Sequence, residues 1–271
     1  MTEQNTSGPS AEPPAAPTAP KDRRKLFALL RWTTALVVFA GTGAGVAYGI
    51  AQPERTEIPG LATEDDGRWV YPPLALPALP AGAALPSAED NPGGIHYAGL
   101  TQLLLPAPEG SKPDAALKLE KDSKVTADTF LEEYEAEARE TLKKHFLTDG
   151  PREIAARGWT MPDGTVTRVY LVRFSSSGFV AAANLCTGQR SLNGVHNLPL
   201  DVDWTKARSS QSMEGDSISL YKEGDPVGDE QTALGCIRSG DVQAVIIQHR
   251  KGKVASVPLH QTAILQKQLL D

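Results

Sequence analysis

Clustered chemistry is what this chain lacks. Five histidines and two cysteines are spread over 271 residues. Neither Cys186 nor Cys236 has a histidine or another cysteine close by in the chain, which excludes the usual zinc spacings. No serine lies in a G-x-S-x-G turn, so the nucleophile elbow of the α/β hydrolases is absent. Basic residues are outnumbered. The formal net charge is -6, and residues 1–51 hold five basic against three acidic side chains, so the rest of the chain carries -8. A basic nucleic-acid footprint is excluded there, and no nucleic acid is expected as a partner. Long apolar runs are scarce too, since there is only one.

That run, Trp32 to Ile50, has no charged residue and follows Lys21, Arg23, Arg24, Lys25 and Arg31. About 20 apolar residues suit the hydrocarbon core of a bilayer, and a basic flank favours the cytoplasmic side. The expectation is a signal-anchor: a single-pass cell-membrane protein with a cytoplasmic N-terminus and an extracytoplasmic remainder from Gln52. Gly41, Gly45 and Gly49 repeat along one helix face, with Gly43 and Ala47 nearby. Such a face lets a second helix pack closely, so a homodimer or a partner transmembrane helix is an expected use. Gly41-Thr42-Gly43-Ala44-Gly45 is not a dinucleotide turn, because Pro53 and Pro59 follow where a strand, helix and strand would have to continue. No cofactor is expected. Arg23-Arg24-Lys25-Leu26-Phe27 partly matches a twin-arginine export signal, and Gly49-Ile50-Ala51 offers small residues for cleavage after Ala51. A secreted protein is therefore the alternative, disfavoured by the length of the apolar run.

Four regions follow from composition. Residues 1–25 are a disordered cytoplasmic tail, rich in Pro, Ala, Ser and Thr and poor in anything that could bury surface. Residues 26–51 are the membrane helix. Residues 52–112 are a proline-rich linker, partly docked, since prolines at 53, 59, 72, 73, 77, 80, 86 and 92 favour polyproline II. Within it Trp69 and Tyr71 share one side of an extended chain, either as a covered apolar face or as a binding ledge. Residues 113–271 form the extracytoplasmic domain.

In that domain Thr126 to Thr148 reads as one helix. Thr129 and Glu132 suit a capping box, and Phe130, Tyr134, Ala138, Leu142 and Phe146 recur every four residues. Its glutamates form a solvated face, with Glu135–Arg139 and Glu140–Lys144 as pairs. Pro162-Asp163-Gly164-Thr165 marks a hairpin between strands at 158–161 and 166–174. Gly178 to Cys186 reads as a short helix. Leu198 to Trp204 and Ser217 to Tyr221 read as strands, and Gly240 to Gln248 as the most buried strand. Ser256 caps a last helix carrying Leu259, Ala263, Leu265 and Leu269. The acidic glycine loop from Glu223 to Glu230 departs from calcium-loop spacing and reads as a solvated turn. Ser175, Ser176 and Ser177 serve a turn or a cap. His145, His196, His249 and His260 stand in no motif.

The fold class is α+β: a twisted, largely antiparallel sheet packed with helices on one face. Cys186 and Cys236 suit a disulfide outside the cytoplasm, with two buried thiols as the alternative. In composition and in its tail-anchor-domain order, the chain resembles actinobacterial single-pass membrane proteins with an exported, sensor-like α+β domain. That resemblance covers 120–271 in texture, implies a disulfide-bonded unit, and transfers no site residue. The expected function is a membrane-anchored extracytoplasmic binding or scaffold protein for a protein, glycan or small ligand. An extracytoplasmic hydrolase is the alternative. No catalytic, cofactor-binding or metal residue is assigned.

Overall fold

A computed structural model describes residues 23–51, 66–183, 185, 191–209, 218–226 and 228–271. They belong to two compact units, Met1–Glu64 and Asp65–Asp271. In the first, helix α1 (Arg24–Ala51) is unbroken. Its Thr33, Thr34 and Thr42 hydroxyls donate to carbonyls of the preceding turn, at 2.6–3.2 Å, so these polar groups need no water. Arg24–Val46 is long and apolar enough to cross a membrane. Around Gly41, Gly43 and Gly45 an added Cβ would meet nothing within 4 Å. The surroundings of Gly49, like residues 1–22 and 52–65, lie outside the described residues.

The second unit is built on one six-stranded antiparallel sheet of order β1-β2-β3-β6-β5-β4. The strands are β1 (Lys112–Pro113), β2 (Glu153–Thr160), β3 (Val166–Arg173), β4 (Ile218–Lys222), β5 (Glu230–Ser239) and β6 (Val242–Lys251). Central β3 and β6 are rich in Val and Ile, whose branched side chains suit a pleated surface covered on both sides. Alternation divides them between two cores. Tyr170, Val172, Val245 and Ile247 face helices α3 (Ala127–Leu131), α4 (Ala136–Asp149) and α5 (Ser177–Ala183). Val169, Leu171, Ala244 and Ile246 face α2 (Leu100–Leu103) and α7 (Ser256–Leu270). The sheet is thus covered on both faces, not one. The remaining helix, α6 (Val202–Ser209), adjoins β4.

The second cover was hidden in the proline-rich segment. Trp69, Tyr71 and Leu74 pack on the core under α7, and Leu100, Leu103, Leu104 and Leu105 are buried. Glutamines of α7 hold this strap as a strand would. Gln261 accepts from Trp69 N–H and donates to Trp69 O, both at 2.8 Å. Gln266 likewise serves Leu105 N–H and Leu103 O, both at 2.9 Å. A proline-interrupted chain that cannot join a sheet ladder has its backbone groups satisfied by side chains instead.

Three further readings change. The helix expected over Thr126–Thr148 is two, broken at Glu132–Glu135. Thr126, not Thr129, is the N-cap, its hydroxyl accepting from Thr129 N–H at 3.1 Å. Arg139 does not pair with Glu135. Its guanidinium donates to the carbonyls of Leu131, Glu132 and Tyr134 at 2.9–3.2 Å, capping α3 from the first turns of α4. Leu198–Trp204 is not a strand: only Leu200 bridges Tyr221, and Asp201 caps α6 by accepting from Trp204 N–H at 3.0 Å. Strand β5 escaped notice, because Gly235 interrupts its apolar pattern. That glycine is needed, since a Cβ there would meet Leu220 at 3.2 Å and Ile246 at 3.3 Å.

Candidate functional site

The break between α3 and α4 opens a cleft of about 470 Å³ on the first face. At the break, Glu135 N–H donates to Ser191 O and Asn193 N–H to Glu133 O, at 3.0 and 2.8 Å. This short pairing turns the Glu133 side chain over the sheet. Below it, Arg168 and Tyr170 project from β3, Ile247 and His249 from β6, and Thr232 from β5. The segments around Lys118, Asn193 and Asp229 complete the walls.

Arg168 is the hub. Its Nε donates to Asp114 Oδ2 at 2.6 Å and its Nη1 to Glu133 Oε1 at 2.8 Å. Tyr170 OH donates to the same Glu133 oxygen at 2.5 Å. Asp114 Oδ1 accepts from Ala116 N–H at 2.9 Å, so that carboxylate is satisfied on both oxygens. Gly158 lets it lie close over β2: an added Cβ would stand 3.0 Å from Asp114 Cβ and 2.9 Å from Leu117. Burial pulls the Arg168 guanidinium down, but Glu133 and Asp114 outweigh it and raise its pKa. Burial, and then the Glu133 carboxylate, raise Tyr170 well above the ordinary phenol. Both groups therefore keep their protons, one as a fixed charge and one as a donor. At the rim, Lys118 lies 3.6 Å from Glu132 and His249 lies 3.4 Å from Glu230.

Among the described residues, neither serine nor cysteine lines the cleft. Among the described residues no group of three or more His, Cys, Asp or Glu could hold a metal ion. The arrangement offers fixed donors and acceptors on a sheet. A second, more apolar depression of about 400 Å³ lies beside α7, where Trp204 stacks on His260 with centroids 4.2 Å apart. His260 Nε2 is 3.0 Å from Asp201 Oδ2.

The residues expected from the sequence fall elsewhere. Trp69 and Tyr71 are half-buried against the second core, Tyr71 edge-on to Trp159 and its OH 2.8 Å from Thr262 Oγ1. Cys236 is disulfide-bonded, while Cys186 lies outside the described residues. Ser175 accepts from Arg152 Nε at 3.0 Å. Of the acidic loop, Glu223 is buried, with its carboxylate accepting from Thr232 N–H at 3.0 Å, whereas Asp225, Asp229 and Glu230 are exposed. Asp114, Glu133, Arg168 and Tyr170 went unremarked as a group. The available signal was a charged residue, Arg168, inside a strand with apolar residues on both faces, which demands a buried partner.

No protein-family model matches the chain, and no curated protein matches it.

Proposed function

We propose that this is a membrane-anchored, extracytoplasmic ligand-binding protein whose binding site is the cleft over Arg168. One observation carries the reading: a preformed polar cavity whose central charges are bonded to each other. Groups tied in this way are fixed in advance on a rigid sheet, which lowers the ordering cost of binding. The location rests on α1 and on the basic residues before its apolar stretch, which favour a cytoplasmic N-terminus. The disulfide at Cys236 suits an oxidising compartment. The length of α1, which exceeds the apolar core of a typical cleaved signal, supports its retention as an anchor.

Full-length protein in detergent, screened by thermal shift against amines, sugars, amino acids and short peptides, tests the binding reading. A ligand that raises Tm, with the gain lost in Arg168→Ala, is the expected result. A library that moves nothing overturns it. Protease protection of sealed vesicles tests the topology, and digestion of the Asp65–Asp271 unit from the cytoplasmic side sinks the extracytoplasmic placement.

A further inference from the structure

The charges around the cleft do not balance, and the imbalance has a direction. Arg168 supplies one positive charge but faces two carboxylates, Asp114 at 2.6 Å and Glu133 at 2.8 Å. Both hydrogen bonds into Glu133, from Arg168 Nη1 and Tyr170 OH, end on the single atom Oε1. Glu133 Oε2 makes no hydrogen bond within the described residues. Only 14% of that side chain is exposed, and it lines the cleft. Further out, Glu132, Asp229 and Glu230 add carboxylates to the lining, with Lys251 3.2 Å from Asp229 and His249 3.4 Å from Glu230, so the surplus lies mainly at Glu133. The lining cations are already engaged: Lys118 with Glu132, and Arg168 as above. An anion entering here would meet surplus negative charge, and a neutral molecule would leave that charge uncompensated.

We propose that the ligand of this cleft bears an ammonium group, which donates to Glu133 Oε2 and neutralises the surplus carboxylate. This rests on the cleft being a ligand site, and it adds the chemical class. Arg168 Nη2, which also has no partner among the described residues, supplies a donor for an acceptor atom on the same ligand. The cleft volume suits a small polar amine and the sheet fixes the carboxylate in advance, so little ordering opposes binding.

Three probes of equal length separate the classes: cadaverine, pentanediol and glutarate, titrated calorimetrically into the full-length protein in detergent. Cadaverine is expected to bind at least about tenfold tighter than pentanediol, with glutarate weakest, and to weaken as salt is raised. Glu133→Gln keeps the side-chain shape and the Oε1 acceptor, and is expected to cost cadaverine about tenfold or more. Should that variant unfold, the exposed pair Glu132→Gln with Glu230→Gln is expected to reduce cadaverine affinity about threefold by lowering the local field. Equal or tighter binding of pentanediol or glutarate overturns the ammonium class and leaves the cleft a ligand site. Failure of all three probes overturns the ammonium class as well. Unchanged cadaverine affinity in folded Glu133→Gln overturns the role of that carboxylate. The binding reading itself fails separately, through a broad library that leaves Tm unmoved.

Discussion

The sheet carries a buried ion cluster on each face, and the two differ in how they are closed. On the first face, Arg168, Glu133 and Tyr170 sit under a break between helices and line a cavity, with Asp114 bonded to Arg168 beside it. On the second, His96 Nδ1 lies 2.6 Å from Asp241 Oδ1 and its Nε2 2.9 Å from Leu270 O. Arg173 Nε stands 3.5 Å from Asp241 Oδ2 and Nη2 donates to Ala98 O at 2.6 Å. This second cluster ties the 94–98 segment, the β5–β6 turn and the C-terminal end of α7 together. Gly240 and Gly94 touch there, so closely that a Cβ on Gly240 would meet Gly94 O at 1.9 Å. The arginines of the two clusters are alike in exposure, 17% for Arg173 and 21% for Arg168, and the difference lies in their partners: His96 and Asp241 are 3% and 2% exposed, Asp114 and Glu133 8% and 14%. The same residue chemistry therefore serves two ends. Sealed at its His96–Asp241 pair, it fastens chain segments; left open at one side, it lines a cavity, where we propose that it presents charge to a ligand.

The widest gap between the clusters should appear when each loses its carboxylate. Asp241→Ala removes the carboxylate that bonds His96 N–H and Nδ1 and the countercharge 3.5 Å from Arg173, and is expected to cost about 3–5 kcal/mol. Asp114→Ala leaves Arg168 paired with Glu133 beside a wet cavity, and is expected to cost about 1.5–3 kcal/mol. Guanidinium denaturation of both variants measures the difference, and equal losses would remove the distinction.

Next comes the fastening of the strap. Gln266→Leu orphans Leu105 N–H and Leu103 O on the sealed face, and should cost about 1–3 kcal/mol. Faster hydrogen exchange at Leu105, with the amides of α3 unchanged, would locate the effect on that face. Arg139→Ala removes the cap between α3 and α4 on the open face. A loss near 1 kcal/mol is expected by analogy with other helix caps, together with weaker ligand binding as Glu133 loosens. Retained affinity would show that the break holds without the cap.

The smallest effect at neutral pH belongs to the buried phenols. Burial raises Tyr71 and Tyr134, and burial with Glu133 raises Tyr170. A folded-state pKa above the unfolded value near 10 means that this stability is complete below about pH 10 and is lost as pH climbs toward the folded values. Denaturant midpoints should therefore be flat up to about pH 9.5 and fall beyond it. Tyr170→Phe on the open face and Tyr71→Phe on the sealed face should each soften the fall, and an unaltered alkaline slope in both would contradict the assignment.

Much of this architecture was legible beforehand. The apolar run of α1, the hairpin at Pro162–Thr165, buried β6 and the apolar period of α7 announce themselves because each is a local pattern set by period or turn residues. The cap expected of Ser256 is not made, since that residue opens the helix, Ala255 stands at the N-cap with no side-chain bond, and the Ser256 hydroxyl accepts from Lys222 Nζ. Errors arose where distant contacts override local preference. Phe130 to Phe146 keeps helical spacing across a break that only Arg139 and the 191–193 segment reveal. The strap around Trp69 reads as linker because its partners, Gln261 and Gln266, lie in the last helix. Leu198 to Trp204 reads as a strand, but only Leu200 bridges Tyr221 and the next residue, Asp201, caps α6.

By itself, the sequence determined one membrane-length helix, an acidic remainder and an antiparallel α+β plan, because hydrophobicity, charge and period are properties of neighbours in the chain. Only the tertiary structure decided that both sheet faces are covered, that Arg168 meets Asp114 and Glu133, and that one ion cluster stays open while the other is sealed. Those outcomes depend on which residues far apart in the chain exclude water from each other, and local pattern does not encode that.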